Sequence, residues 1–154
     1  MKQYTKRILS FLLLMGMLTS IYCTPTFAIS LTADSLRDSA YIHSYRAVLT
    51  ADSGGDLICN VAVNAAVYAD KVGATDIYIQ ESTDGVYFQN VSSLHRNYQD
   101  YPIMMGTGVV YNEDCYTFTG TIGHYYLANV WVYAEKDGGS DTRLYTTAPV
   151  LCHS

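Results

Sequence analysis

The chain has 154 residues, of which 14 are Asp or Glu and nine are Lys or Arg. The first 28 residues hold three of those nine basic residues and none of the acidic ones, so the remainder carries a net charge of −8. Such a balance repels phosphate backbones, which disfavours nucleic acid and anionic lipid surfaces as partners.

The amino terminus places Lys2, Lys6 and Arg7 before a 14-residue apolar run from Ile8 to Ile21, followed by a polar stretch ending Thr26-Phe27-Ala28. That order predicts a cleavable secretory signal over residues 1–28 and hence a secreted protein. The run is shorter than the about 20 residues a membrane-spanning helix needs, so no stable membrane insertion is expected after cleavage. Cys23 follows the bulky pair Ile21-Tyr22, which does not suit lipid attachment. The 126 residues that remain are the size of one domain.

Residues 29–40 are polar and aperiodic and read as a flexible leader to a domain over residues 41–154. Tyr45, Ala47 and Leu49 alternate with Arg46, Val48 and Thr50, and then Asp52-Ser53-Gly54-Gly55-Asp56 reads as a turn. In the next strand Leu57, Cys59, Val61, Val63, Ala65 and Val67 share one face, the strongest period of two in the chain. Asp70 to Thr75 reads as a short connection. The runs Asp76–Glu81 and Val86–Val91 flank Ser82-Thr83-Asp84-Gly85, an Asp-Gly hairpin signal. Residues 92–113 show no period and read as the longest irregular stretch.

Three further strands are expected. Tyr116, Phe118 and Ile122 share one face; Tyr126, Ala128, Val130, Val132 and Ala134 face inward on the next; and Thr142 to Ala148 follows the turn Asp137-Gly138-Gly139-Ser140. Seven short strands without a helical period predict an all-β domain, a two-sheet antiparallel sandwich.

The run Tyr126-Leu127-Ala128-Asn129-Val130 resembles the sixth strand of immunoglobulin-like and fibronectin type III sandwiches, with a tyrosine two positions before an inward small residue. Ala128 stands where the immunoglobulin disulfide would be. A second likeness spans most of the chain: Asp70-Lys71-Val72-Gly73-Ala74, Gln80-Glu81-Ser82-Thr83-Asp84-Gly85, Tyr125 through Gly138, and Asp141-Thr142-Arg143. These segments resemble a group of small secreted proteins of Gram-positive, often gut-dwelling, bacteria, themselves without an assigned activity. That resemblance implies source and compartment and carries over no site residue.

Three cysteines follow the signal, Cys59, Cys115 and Cys152, an odd count that allows at most one internal bridge. The fibronectin-like strand order would bring the start of the second strand to the end of the last, which implies a Cys59–Cys152 disulfide with Cys115 out of reach. The alternative is three reduced thiols, with Cys59 packed as a small hydrophobe.

No catalytic constellation is visible. His43, His95, His124 and His153 stand singly with no nucleophile motif beside them. Glu81 and Asp84 could pair as hydrolase carboxylates, but a solvated turn explains them as well. Asp52 with Asp56, and Asp137 with Asp141, could offer oxygens to calcium, yet both read as ordinary turns, so no metal and no cofactor is expected.

The informative feature is aromatic. The parity that points Tyr126, Ala128, Val130 and Val132 inward points Tyr125, Leu127, Trp131 and Tyr133 outward, with Tyr78 and Tyr145 expected to join them from neighbouring strands. A row of this kind predicts a binding face for a protein partner or a second copy of the chain, or for an extracellular carbohydrate or cell-wall glycan stacked on Trp131, Tyr133 and Tyr145. The bland alternative is cross-strand pairing that only stabilises the sheet.

Overall fold

The computed structural model describes residues 39–154, so the expected signal and most of the leader lie outside the described residues. The described chain is all-β, one antiparallel sheet of eight strands that curls into a half-barrel. The strands are β1 (Ile42–Ala51), β2 (Asp56–Ser82), β3 (Gln89–Asn90), β4 (Arg96–Asn97), β5 (Met105–Thr119), β6 (Tyr125–Lys136), β7 (Gly139–Thr146) and β8 (Val150–Leu151). The only helical turns among the described residues are three single 3-10 turns, at Ser53–Gly55, Ser92–Leu94 and Pro102–Met104.

β2 organises the fold. It runs for 27 residues, about 90 Å if it were straight, whereas a domain of this size has a radius of gyration of only about 13 Å. The strand therefore has to bend. Its register breaks between Asn64 and Ala69 against β5, and again between Ala74 and Asp76 against β6. Residues 57–65 lie between β1 and β5; residues 71–82 pair with β6, while their other edge takes β5 at Lys71–Gly73 and then β4 and β3. β7 lines the outside of β6, and β8 pairs with the first residues of β6. The connection expected at residues 70–75 is thus strand. Backbone passes close by there: a Cβ on Gly73 would collide with the Met104 carbonyl.

The curl encloses one core. Ala47 and Leu49 from β1, Leu57, Cys59, Val61 and Val63 from the first half of β2, and Ile77 and Ile79 from the second half are buried with Tyr126, Ala128, Val130, Val132 and Ala134 of β6. The two-residue period thus buries most of the side chains expected inward on both long strands. It fails at Val67, which is 48% exposed because the bulge after Asn64 turns residues 66–68 to solvent. Ile122, expected to continue the face of Tyr116 and Phe118, is exposed in the turn after β5. Aromatic edges close the interior: Tyr45 of β1 meets Tyr145 of β7 at 6.0 Å, and Phe118 of β5 meets Tyr126 of β6 at 6.0 Å.

Two loops set register. Asp137 (φ 52°) and Gly138 (φ 81°) both have positive φ, the requirement of a two-residue type I′ hairpin turn, and they pair Lys136 with Gly139. The Asp84-Gly85 hairpin also forms, but its pairing is confined to Gln80–Asn90 and Glu81–Gln89, so residues 82–88 make a wider loop than the sequence suggests. Residues 105–113, expected to be irregular, are the first part of β5.

Candidate functional site

On β6 the side chains opposite the core are Asn129, Trp131 and Tyr133, and Trp131 is 39% exposed. Directly paired residues of an antiparallel sheet share a face. Asn129 pairs with Tyr78 and Thr146, Trp131 with Leu144, and Leu127 with Gln80. Tyr78, Gln80, Asn90, Asn129, Trp131 and Leu144 line a shallow groove of about 220 Å³. One wall is rigid: the Tyr78 ring stacks on His95 at 4.2 Å, nearly parallel, and His95 Nε2 sits 3.0 Å from Asp76 Oδ1.

The groove mixes these rings with amides. Gln80 Nε2 donates to Asn90 Oδ1 at 2.8 Å, and Thr146 Oγ1 donates to Asn129 Oδ1 at 2.6 Å. An amide–amide bond uses one donor and one acceptor, so the Gln80–Asn90 pair keeps one amide oxygen and one amide nitrogen without a protein partner among the described residues; the Asn129 nitrogen is likewise unengaged. Gln80, Asn90 and Asn129 are not singled out by the sequence, because amides on a strand carry no motif and only pairing brings them together.

Of the five aromatic residues expected to form the binding face, the structure brings Trp131 and Tyr78 together in this groove. Tyr133 lies on the same face two positions along β6, half-buried, with its hydroxyl donating to Glu135 at 2.8 Å. That bond and burial raise its pKa, burial contributing most. Tyr125 is half-covered by the loop of residues 82–88, whose Gly85 packs against its ring. Leu127, expected outside, is only 8% exposed. Tyr145 is on the other side of the sheet: the turn register pairs it with Val130, so it packs against the core and touches Tyr45. It is not a platform of the outer face.

A second depression of about 440 Å³ lies where the β2–β3 hairpin meets the start of β6, lined by Glu81, Ser82, Thr83, Tyr87, Gln89, Asn90, Val91, Ser92, Ser93 and His124. Glu81 anchors it. Its Oε1 accepts from the Tyr126 hydroxyl and lies 2.8 Å from His124 Nδ1, while the Tyr126 oxygen also accepts from the Thr121 amide at 2.8 Å. The bond from Tyr126 and then that from His124 hold the Glu81 carboxyl below its ordinary pKa, so it remains ionised. Asp84 does not join Glu81. Its carboxylate accepts from the amides of Val86 and Tyr87 and from Ser82 Oγ, which makes it the brace of the hairpin loop.

Cys59, Cys115 and Cys152 are all free thiols, which corrects the expected Cys59–Cys152 bridge. The chain end does reach the start of β2, where Cys152 Sγ contacts the Gly55 carbonyl at 3.4 Å. Cys59 lies four positions further on, about 13 Å of extended chain, beyond the span of a disulfide. Cys115 is nearer Cys59 than the strand order implied, since it pairs with the adjacent Asn60, but it projects from the opposite face of the sheet. The carboxylates weighed for calcium serve their own surroundings: Asp52 accepts from Ser53 N, Asp56 from Thr119 Oγ1, and Asp141 from Thr142 N and Arg143. Among the described residues no set of three or more His, Cys, Asp or Glu is grouped to hold a metal ion, and no helix is long and apolar enough to cross a membrane.

No protein-family model, no curated protein sequence and no solved structure matches the chain.

Proposed function

We propose that the chain is a secreted, non-enzymatic binding module and that its groove beside Trp131 takes an extracellular carbohydrate or cell-wall glycan. One observation carries this reading: the only tryptophan of the sequence is exposed on an interior strand, lining one groove with Tyr78 and the amides of Gln80, Asn90 and Asn129. Sugars present apolar ring faces and hydroxyls that both donate and accept. Flat aromatic rings suit the first, and paired amides suit the second. Secretion rests on the signal-like residues 1–28, and the resemblance to secreted proteins of Gram-positive bacteria makes the cell envelope the place to look for a ligand. Cosedimentation with insoluble cell-wall polysaccharide tests the reading. The protein should pellet with the polysaccharide and Trp131→Ala should stay in solution; equal pelleting of both would refute it.

The finer architecture is also a proposal. β1, β2 and β5 on one side, and β3 or β4, β2, β6 and β7 on the other, have the neighbour order of the two sheets of a fibronectin-like sandwich in which the second and third strands are one. A second functional reading, a protein partner or a second copy on the same face, is favoured by Leu144, which lies exposed beside Trp131. Sedimentation velocity at rising concentration separates it, since only self-association makes the mass concentration-dependent.

A further inference from the structure

We infer that the polar depression at Glu81 and His124 is a second subsite of the Trp131 groove, and that the two together bind a neutral oligosaccharide several units long. The inference rests on the carbohydrate reading of the groove and adds the length and charge of the ligand. The groove of about 220 Å³ falls below the roughly 300–1,000 Å³ usual for a small-molecule site, while the depression of about 440 Å³ falls within it. Asn90 lines both. Gln80 and Glu81 are consecutive on β2, and strand alternation sends the first to the groove and the second to the depression. A ligand seated on Trp131 therefore meets the depression by crossing the two-residue edge strand β3 at Asn90.

The lining chemistry differs between the two. The groove offers rings and amides; the depression offers the hydroxyls of Ser92, Ser93 and Tyr87, the amide of Gln89, and the Glu81–His124 pair. Hydroxyl-rich surroundings with few apolar side chains suit a further sugar unit rather than an apolar group. The charge selects too. Glu81 stays ionised, held by Tyr126 and His124, and the chain is acidic overall, so an anionic sugar is repelled where a neutral one is not. Linking two subsites makes occupation of the second intramolecular, so affinity should rise with chain length without new contacts at the first.

The test is a titration of the full chain with β-1,4-linked N-acetylglucosamine oligomers of one to six units, read by Trp131 fluorescence, with oligogalacturonate as the anionic comparison. The wild type should bind longer oligomers at least about tenfold tighter than the monosaccharide and should not respond to oligogalacturonate. Tyr87→Ala, and separately Ser92→Ala/Ser93→Ala, alter exposed positions and should remove the gain with length while leaving the monosaccharide response unchanged. Affinity independent of length, an undiminished gain in those variants, or equal binding of the anionic oligomer overturns the extended subsite while the Trp131 groove stands. A Trp131 signal unmoved by any neutral oligomer overturns the groove and the subsite with it.

Discussion

Arg96 and Asp114 meet at 3.4 Å inside the curl, with only 12% and 4% of their side chains exposed, although they are paired to points far apart on the same strand. Arg96 is opposite Ile77 and Asp114 is opposite Val61, 16 positions that would span about 50 Å along a straight β2. The ion pair thus measures how far the sheet folds over on itself. The guanidinium lies over the rings of Tyr101 at 4.4 Å and Tyr116 at 5.2 Å, and the Tyr116 hydroxyl reaches the Leu94 carbonyl at 3.2 Å. Together these contacts fasten β5 to the segment carrying β4.

Removing one charge should cost much more than removing both. Asp114→Ala leaves a buried guanidinium unpaired, and a loss of about 3–5 kcal/mol is expected. Replacing the pair with apolar residues of similar bulk, Arg96→Met with Asp114→Leu, should cost less than the single change. Urea denaturation of the three proteins checks the ranking, and an additive double variant would mean the pair is not coupled.

Acid sensitivity should centre on Glu81. Its folded pKa is lowered from an ordinary 4.5, by the bond from Tyr126 first and His124 second. The stabilisation is therefore fully present above about pH 4.5 and is lost as pH falls through the lower folded value. Melting curves from pH 7 to pH 2 should show wild type above Glu81→Gln at neutral pH, with the gap closing below pH 4.5. A gap of constant size would assign the acid limb to other carboxylates.

Thiol labelling should divide the cysteines cleanly. Cys115 is exposed, whereas Cys59 and Cys152 are buried. Burial, with Asp114 and Cys115 adding to it, pushes the Cys59 thiol up to about 12, and burial likewise raises that of Cys152. Iodoacetamide at pH 8 followed by peptide mass spectrometry should find Cys115 modified in the native protein and the other two only after unfolding. Native modification of Cys59 would contradict the packing.

Gly73 should tolerate no side chain. A Cβ there meets the Met104 carbonyl rather than a flexible side chain, where β5 and β6 both press against β2. Gly73→Ala should lower the melting temperature or prevent folding, while Gly138→Asn, at a positive-φ turn position with open space around it, should be mild.

These residues also show what the sequence made legible. The inward set Tyr126, Ala128, Val130, Val132 and Ala134 could be read because β6 is paired along its length and keeps a strict period. The outward position of Trp131 follows from the same parity. Tyr145 was misplaced because parity within β7 says nothing about its phase relative to β6; the Asp137-Gly138 turn sets that, and the signal was present in the Asp-Gly pair. The early part of β5 escaped because its inward positions include Asn112 and Asp114, whose partners, the Met104 carbonyl and Arg96, are known only once the sheet has folded. The single long β2 was hidden by its own bulges, which interrupt the period where the strand bends.

The most direct measurement is the emission of Trp131 in dilute protein titrated with soluble cell-wall glycan fragments. A saturable shift that is the same at every protein concentration, and that Asn129→Ala weakens, is the predicted result. Emission that ignores the glycan at millimolar excess, or that moves only with protein concentration, would contradict carbohydrate binding at this groove.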